Sequence, residues 1–330
     1  MRLLEIEDLA VEFDTRHGRV TALDRVSFAL EAGETLGLVG ESGCGKSITA
    51  LAVMGLVPSP PGRISGGSIR LAGEELVGAP ERRLRRMRGA EVAMIFQEPM
   101  TSLNPVFTAG QQIAEAIMLH QRQSEDAAMK AAVELLDRVG IPDPARRAKS
   151  YPHQLSGGMR QRVMIAMAVS CRPKLLIADE PTTALDVTVQ AQIFDLLNDI
   201  QRDFGTAILM ITHDMGAIAE MADRVAVMYA GRVVEQGSAD AVLDRALHPY
   251  SRGLIACIPA LGKGDEADPS RPPPLAEIPG VVPPLHLIGA GCAFAARCPH
   301  RFERCEREKP RLVGDPAHPA ACFAVEEGRI

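Results

Sequence analysis

A glycine-rich run, GESGCGKS, occupies residues 40–47, between an apolar segment and a stretch with helical character. It fits the pattern G-x-x-x-x-G-K-[ST] of a phosphate-binding loop, or P-loop. Glycines in such a loop let backbone N–H groups turn toward phosphate oxygens, and the N-terminus of the following helix adds positive charge. We predict that Lys46 binds the β- and γ-phosphates of a nucleotide and that Ser47 places its hydroxyl on Mg²⁺. A chance glycine-rich turn is the alternative, and the strand–loop–helix context disfavours it.

A pair of acids ends the apolar segment LLIADE at residues 175–180. The carboxyl ends of parallel strands form the edge where ligands of such sheets bind. Asp179 is therefore the predicted Mg²⁺ ligand, and Glu180 the predicted general base, a role that contributes ~10²–10⁴ in rate. His213 ends a later apolar segment, MITHD, and is a candidate for contacting the γ-phosphate, although a lone histidine is more often structural.

Alternation of short apolar segments with longer helical patterns over residues 1–258 predicts an α/β fold. Residues 111–140 are predicted to be mostly helical, in two segments: QQIAEAIML at residues 111–119, and a second that begins with Ser124 as N-cap and ends at Gly140. The predicted buried strands are 34–40, 175–178 and 207–212, and residues 224–237 are predicted to form a hairpin that turns at Ala230 and Gly231.

Composition and charge exclude several classes of protein. The 330 residues are 46% hydrophobic and 24% charged, as in globular proteins, and the net charge of −6 disfavours a duplex-DNA binder. The sequence has no apolar run of the ~18–20 residues that a membrane-spanning helix needs. The N-terminus carries acids where a signal peptide needs an apolar core. We therefore predict a cytoplasmic chain that reaches a membrane only through a partner.

The character of the chain changes after Cys257, because residues 259–284 hold eight of the 24 prolines. Proline disfavours both helix interiors and central strands. The predicted organisation is one nucleotide-binding domain over residues 1–258, followed by a Pro-rich linker and a cysteine-bearing extension over residues 259–330.

The run LSGGMRQR at residues 155–162 resembles the signature of the ATP-binding subunits of ABC transporters. The resemblance implies a P-loop ATPase fold with a RecA-like core, an antiparallel β subdomain and a helical subdomain. Ser156, Gly157 and Gly158 would begin a helix whose N-terminus holds a γ-phosphate. Met159 departs from the family pattern, which usually has glutamine there.

The resemblance extends to single positions along the chain. Gln97 matches the Q-loop glutamine, which touches Mg²⁺ and senses the membrane partner, and His213 matches the switch histidine. Phe13 occupies the place of the aromatic residue that stacks on adenine, and Ala184 to Asp186 match the D-loop. The implied nucleotide-binding residues are Phe13, Gly40, Ser42, Gly43, Cys44, Gly45, Lys46, Ser47, Ile48, Gln97, Ser156, Gly157, Gly158 and Asp186. The implied Mg²⁺ ligands are Ser47, Gln97 and Asp179.

Further stretches resemble the oligopeptide/dipeptide importer branch, including DEPTTALDVTVQAQI at residues 179–193 and HPYSRGL at residues 248–254. The resemblance implies a peripheral subunit on the cytoplasmic face of the inner membrane. Its partners would be a second, different ATPase subunit, two integral membrane permease subunits and an extracytoplasmic peptide-binding protein, with no nucleic acid. Two ATPase domains would face each other head to tail, so that each ATP lies between one P-loop and the opposite signature. Residues 98–150 would contact the membrane subunits.

The transported solute stays open at this point. Nickel or another solute is an alternative to peptides, because related subunits look similar and none of this chain is expected to touch the solute. A soluble ABC ATPase of DNA repair or translation is a further alternative. Such proteins usually carry coiled-coil insertions, zinc modules or two ATPase modules, and this sequence has none of these features.

Four of the seven cysteines, Cys292, Cys298, Cys305 and Cys322, lie within the last forty residues. A segment this small and poor in large apolar residues usually needs a metal or a disulfide, and the cytoplasm disfavours the disulfide. Four thiolates suit Zn²⁺ or a [4Fe–4S] cluster, and spacings wider than C-x₂₋₄-C favour the cluster. The resemblance also implies an iron–sulfur cluster. Zinc and unliganded cysteines remain alternatives, as do His300 and His318 as substitute ligands.

Overall fold

Two β-sheets form the framework of the protein, for which a computed structural model describes residues 2–16, 18–97, 102–183, 185–258 and 277–330. The strands of this described part are β1 (Arg2–Thr15), β2 (Gly18–Glu31), β3 (Thr35–Val39), β4 (Gly62–Leu71), β5 (Glu74–Glu75), β6 (Val92–Ile95), β7 (Leu175–Asp179), β8 (Ala207–Thr212), β9 (Arg224–Tyr229) and β10 (Arg232–Ser238).

The larger sheet has the strand order β10-β9-β3-β8-β7-β6, and its pairings are parallel except that of β9 with β10. Every residue of β3, β7 and β8 is buried, because helices and the second sheet cover both faces. Strands buried on both faces appear as continuous apolar runs, which is why the sequence predicted these three correctly. Their order, β3-β8-β7, brings the residues that follow each strand to one edge of the sheet.

The smaller sheet is antiparallel, with the order β2-β1-β4-β5. Its apolar face shares one buried cluster with the helix after β3 and with the larger sheet, as shown by Leu4, Ile69, Val53, Leu209 and Met228. This confirms the predicted antiparallel β subdomain. The predicted hairpin is also confirmed, since Tyr229 pairs with Arg232 across the turn.

The helices position the rest of the molecule. They are α1 (Lys46–Val53), α2 (Glu81–Met87), α3 (Ala109–Gln121), α4 (Glu125–Arg138), α5 (Pro144–Arg147), α6 (Gly157–Val169), α7 (Val187–Phe204), α8 (Met215–Met221), α9 (Ala239–Arg245), α10 (Pro249–Ala256), α11 (Glu303–Arg307) and α12 (Phe323–Glu326). Helices α3, α4 and α6 share a second apolar cluster, which confirms the helical subdomain. Ser124 caps α4 as predicted, by accepting a hydrogen bond from the N–H of Ala127.

The two helical segments predicted within residues 111–140 are confirmed. Helix α3 ends at Gln121, and its C-cap residue Arg122 adopts a left-handed conformation with φ of 56°. A residue in this region of φ and ψ breaks the helical hydrogen-bond ladder and redirects the chain. Helix α4 then begins after Ser124 and packs against α3.

Residues 277–330, called the extension below, contain short helices and irregular backbone that pack on the core. Phe294 is buried against Tyr229 and Tyr250, with ring centroids 5.2 and 5.5 Å away. The N–H of Ala321 donates to the carbonyl of Val234 in β10 at 2.7 Å. The extension therefore shares an apolar cluster with the end of the larger sheet. Most of the predicted Pro-rich linker, residues 259–276, lies outside the described residues.

A search of the described helices for a long apolar span finds none that could cross a membrane.

Candidate functional site

The predicted site lies at the edge of the larger sheet where three adjacent strands end. The P-loop follows β3, His213 follows β8, Asp179 ends β7, and Glu180 comes directly after it. The central strand β8 pairs with both others, so the residues after all three strands are neighbours. An open cleft of about 490 Å³ lies beside them, and Glu180, Thr183 and His213 line it.

The P-loop depends on glycines at two positions. Gly40 has φ of 153°, and a Cβ atom there would lie 2.2 Å from the carbonyl oxygen of Met228. Gly45 has φ of 107°, and its Cβ would lie 2.7 Å from Leu23. Side chains at either position would both strain the backbone and clash with the core.

Lys46 is 5% exposed, and its ammonium group is held by the loop itself. It donates hydrogen bonds to the carbonyl oxygens of Gly40 at 2.6 Å and Glu41 at 3.2 Å. Cys44 is 1% exposed, so its side chain belongs to the core and its backbone alone can face a ligand. Burial raises the pKa of the Cys44 thiol, which stays neutral and unreactive. Among the other predicted loop residues, Ser42 and Gly43 are exposed at the turn and Ile48 packs partly on the core.

The pair Ser47 and Asp179 has the donor chemistry of a magnesium site. Asp179 is 4% exposed and accepts a hydrogen bond from the Ser47 side chain. Burial raises the pKa of Asp179 above its usual value, the nearby charge of Glu180 adds to this, and the Ser47 hydrogen bond opposes it. Among the described residues, Asp179 Oδ1 has no hydrogen-bond partner. A buried, unsatisfied carboxylate oxygen beside a hydroxyl is the hard oxygen environment that Mg²⁺ prefers.

Glu180 is held by three side chains. Its Oε2 accepts hydrogen bonds from Gln97 at 3.0 Å and Thr183 at 2.9 Å, and its Oε1 lies 3.1 Å from His213 Nδ1. Burial raises the pKa of Glu180, but the hydrogen bonds of Thr183 and His213 and the charge of Lys46 outweigh it, and the pKa lies below its usual value. The carboxylate is therefore ionised at neutral pH, as a general base must be.

Gln97 and His213, which the resemblance placed in the site, thus meet Glu180 directly. Sequence reasoning missed Thr183. A hydroxyl residue three positions after an acid, in a turn, was the signal that could have identified it, because such side chains commonly bond to nearby groups of the same turn.

The signature residues begin α6 and are not among the residues that line the cleft. Ser156 caps the helix by accepting a hydrogen bond from the N–H of Met159 at 3.3 Å. The Cβ position of Gly157 has nothing within 4 Å, so the helix N-terminus is open to a ligand. No hydrogen bond between described residues links this turn to the P-loop of the same chain.

Two other predicted contacts have different local roles. Asp186 caps α7 by accepting a hydrogen bond from the N–H of Val189 at 2.9 Å. Phe13 is partly buried in β1 and packs against Gly62, whose Cβ would lie 2.6 Å from its ring. Ala184 of the predicted D-loop lies outside the described residues, as do residues 98–101 of the predicted membrane-contact segment.

The four C-terminal cysteines converge, as their clustering predicted. Cys292, Cys298, Cys305 and Cys322 line one small cavity of about 10 Å³ together with His300. Burial, to which the neighbouring cysteines add, raises the pKa of the Cys292 thiol to about 11. None of the described cysteines forms a disulfide.

The donor set therefore fits a soft metal centre, since thiolates are the ligands of zinc and of iron–sulfur clusters. The thiols are, however, not positioned to coordinate a metal in this structure. Among the described residues, no group of three or more His, Cys, Asp or Glu side chains is arranged to hold a metal ion. His318, considered above as a substitute ligand, instead bonds through Nε2 to the buried carboxylate of Glu235 at 2.7 Å.

Comparison with known proteins agrees with this geometry. The sequence matches the family described as ABC transporter over residues 23–183, and the family described as Oligopeptide/dipeptide transporter, C-terminal region, over residues 234–305. The oligopeptide transport ATP-binding protein OppD of Salmonella typhimurium is 52% identical, over 98% of this chain and 95% of its own length. The dipeptide transport ATP-binding protein DppD of Escherichia coli is 49% identical, over 94% of this chain and 93% of its own.

A solved structure, the dimeric post-hydrolysis state of the ATP-binding cassette MJ0796 bound to ADP and Pi, is similar in fold. It is 25% identical with a TM-score of 0.65, over 72% of this chain and 98% of that chain. The chain therefore belongs to the ABC transporter family and is an ATP-hydrolysing subunit of that family. Within the family, its C-terminal part carries the region described for oligopeptide/dipeptide transporters. The predicted fold class and ATPase activity are thus confirmed.

Proposed function

We propose that this chain binds ATP at the P-loop edge of the larger sheet and hydrolyses it to drive uptake of dipeptides or oligopeptides. The observation that carries the proposal is the junction of three groups at adjacent strand ends: Lys46, the Ser47–Asp179 pair, and Glu180 with its partners Gln97 and His213. The assignment of peptides as the solute rests on the relatives. Their names describe them as oligopeptide or dipeptide transport ATP-binding proteins, and they match nearly the full length of this chain.

Each residue has a distinct chemical role in this proposal. Lys46 would exchange the loop carbonyls for β- and γ-phosphate oxygens, and Ser47, Asp179 and Gln97 would hold Mg²⁺. The ion neutralises charge on the transferred phosphoryl group when bound. Glu180 accepts the proton of the attacking water, and the oxygen of that water forms a bond to the γ-phosphorus as the bond to the β-phosphate oxygen breaks. His213 keeps Glu180 oriented and contacts the γ-phosphate.

The second half of each site comes from another subunit. The open N-terminus of α6, with Ser156, Gly157 and Gly158, can bind the γ-phosphate of an ATP held by a facing P-loop. We therefore propose a head-to-tail pair with a second, different ATPase subunit. Two membrane permease subunits and an extracytoplasmic peptide-binding protein complete the assembly, which puts this chain on the cytoplasmic face of the inner membrane.

Exposed apolar side chains support a membrane-subunit contact within the predicted segment 98–150. Val106 is 70% exposed and the adjacent Phe107 is 47% exposed, just before α3. Adjacent exposed apolar residues of this size are a common mark of a protein interface. Transport of nickel or another solute remains the second candidate, because this proposal gives no residue of the chain a contact with the solute.

Affinity purification from solubilised membranes tests this assembly. A tagged chain is expected to bring down two integral membrane proteins and a second ATPase subunit. The double variant Val106→Ser/Phe107→Ser is expected to lose the membrane proteins, while Val281→Ser, an exposed apolar position in the extension and outside that segment, keeps them. Recovery of the wild-type chain without any membrane protein would refute the transporter assignment. The binding protein encoded with the partners then identifies the solute.

We further propose that Cys292, Cys298, Cys305 and Cys322 hold a [4Fe–4S] cluster, with Zn²⁺ as the alternative. Support comes from their convergence on one cavity, and binding requires the thiols to lose protons and turn toward the metal. Its role would be structural: it would order the extension, whose own apolar core is small. The proposed division at residue 258 then separates a nucleotide domain from a metal-stabilised extension.

Metal analysis of anaerobically purified protein tests the cluster. We expect about four irons and four sulfides per chain and a visible absorption band. Cys305→Ser is expected to lose the iron, whereas Cys171→Ser, outside the set, retains it. A colourless protein with one zinc per chain would assign the site to zinc, and metal-free protein with four titratable thiols would remove the site.

A further inference from the structure

Arg297 is a buried cation in the extension with its charge directed at the P-loop. It ends the 3₁₀ turn Ala295–Arg297, immediately before Cys298, and its side chain is 4% exposed. Its two terminal nitrogens donate to the two carboxylate oxygens of Glu41, at 2.6 and 3.1 Å. Such a bidentate ion pair fixes the orientation of the carboxylate as well as its distance from the guanidinium.

Glu41 is the second residue of the P-loop and is bound on three sides. Its carboxylate is held by Arg297, and its backbone N–H donates to the hydroxyl of Tyr250 in α10 at 2.8 Å. Its carbonyl oxygen accepts the hydrogen bond of Lys46 at 3.2 Å. A shift of Glu41 would therefore move the carbonyl that positions the phosphate-binding lysine.

The extension fixes Arg297 in turn. Its Nε donates to the carbonyl of Pro279 at 2.8 Å, and one terminal nitrogen donates to the carbonyl of Ile278 at 3.2 Å. The guanidinium also lies over the rings of Tyr229 and Phe294, 5.8 and 5.9 Å from their centroids. These contacts hold the guanidinium in one position. The Glu41 side chain is 31% exposed and therefore has more freedom to move, so Arg297 fixes the position of the Glu41 carboxylate.

We propose that Arg297 is a positioning residue for the nucleotide site, through which the C-terminal extension holds the P-loop in its phosphate-binding shape. The inference rests on the proposed function in one respect, that this loop binds the phosphates of ATP. It assigns the extension a task beyond its own stability: support of a loop 256 residues away in sequence. Because Arg297 directly precedes Cys298, loss of order around the cysteines would loosen the P-loop as well.

The simpler reading is that Arg297 only anchors the extension to the core. The two readings differ in what the Glu41 carboxylate does. If anchoring were the whole role, removing that carboxylate would alter stability and leave nucleotide affinity unchanged. If the pair positions the P-loop, removing either partner weakens nucleotide binding by the same factor.

Titration of the full-length chain with Mg-ADP tests the proposal, because ADP uses the P-loop side of the site and does not need the facing subunit. Arg297→Ala and Glu41→Ala are each expected to weaken binding on the order of ten-fold. The double variant is expected to bind no more weakly than either single variant, because both remove the same contact. Arg297→Lys should recover part of the affinity, since lysine keeps the charge but not the two-pronged geometry.

Arg304→Ala is the matched control. Arg304 also belongs to the extension, but its ion pairs are with Glu308, Glu326 and Glu327, away from the P-loop. Its loss is expected to leave the Kd for Mg-ADP unchanged. Hydrogen exchange supplies a second readout: the backbone amides of residues 40–47 should exchange faster in Arg297→Ala and at the wild-type rate in Arg304→Ala.

The outcomes separate the proposal from its premise. Wild-type affinity in folded Glu41→Ala or Arg297→Ala, or additive losses in the double variant, would overturn the positioning role. If Arg297→Ala does not fold, the same Mg-ADP titration of Glu41→Ala and Glu41→Gln tests the pair, because Glu41 is the more exposed partner. Failure of the wild type to bind Mg-ADP, or binding that is indifferent to Lys46→Ala, would instead overturn the proposed ATP site.

Discussion

Replacing Glu180 with glutamine is expected to lower ATP turnover by ~10²–10⁴-fold while leaving ATP binding nearly intact. Glutamine has the shape of glutamate, so its carbonyl can still accept the hydrogen bonds of Gln97 and Thr183. It cannot accept the proton of the attacking water, and hydrolysis then loses its base. Phosphate release by the assembled complex measures turnover, and retention of ATP with a stable dimer on gel filtration measures binding.

Glu220→Gln is a suitable control for that measurement. Glu220 lies in α8, shortly after His213, and its side chain is exposed, so the same chemical change occurs near the site without touching it. Its turnover should equal that of the wild type. Wild-type turnover by Glu180→Gln in a complete complex would instead show that another group activates the water.

The pKa of Glu180 also gives a direction for the pH dependence. Because this pKa lies below its usual value in the folded protein, the carboxylate stays ionised as the pH falls toward the usual range of a glutamic acid. Weakening its hydrogen bonds with Thr183→Val should raise the pKa and move the acid limb of the turnover profile to higher pH. The same variant keeps the volume of the side chain, so packing changes little.

The catalytic edge of the sheet was predictable from sequence because its signals are local. Buried parallel strands appear as continuous apolar runs, and the proposed site residues come after these runs: Glu180 directly follows β7, and Lys46 ends the loop that follows β3. The strand order β3-β8-β7, which the sequence did not predict, brings them together. Helix starts are equally local: Ser124 caps its helix as predicted, and a helix begins at the signature residues, where Ser156 is the N-cap.

The contacts that were missed join distant residues of irregular backbone. Arg297 lies in a segment without apolar periodicity, and no pattern in its neighbours points to Glu41. Whether a single side chain is free to bind a ligand also cannot be predicted from its sequence neighbours. Cys44 is in the P-loop pattern, but its thiol is buried in the core, and His318 is near the cysteines in sequence, yet it pairs with Glu235. Burial and the partner's position decide these cases, and both depend on the complete fold.

Replacing Lys46 with alanine is expected to weaken ATP binding by about 10–150-fold, the loss that follows removal of a charged hydrogen-bond donor from an anionic ligand. Lys46 is 5% exposed, and its ammonium group donates hydrogen bonds to the loop carbonyls of Gly40 and Glu41. A charged donor in so enclosed a position forms short, charge-assisted bonds to phosphate oxygens, and little water remains to screen them.

The fold should survive this substitution. Alanine has the highest intrinsic helix propensity, so α1 still begins at residue 46, and the hydrogen bond from the N–H of Thr49 to the carbonyl of Gly45 does not involve the lysine side chain. Loss of binding would therefore report on the missing charge. An unchanged melting temperature in the absence of nucleotide checks this point.

Lys174→Ala supplies the matched comparison. Lys174 is exposed and directly precedes β7, at the opposite end of the strand from Asp179, so its loss removes the same charge far from the P-loop. Nucleotide titration and peptide uptake in vesicles should both fail for Lys46→Ala and proceed normally for Lys174→Ala. If Lys46→Ala binds ATP and supports uptake as the wild type does, the phosphates bind elsewhere, and the glycines at positions 40 and 45 shape a loop that serves only the core.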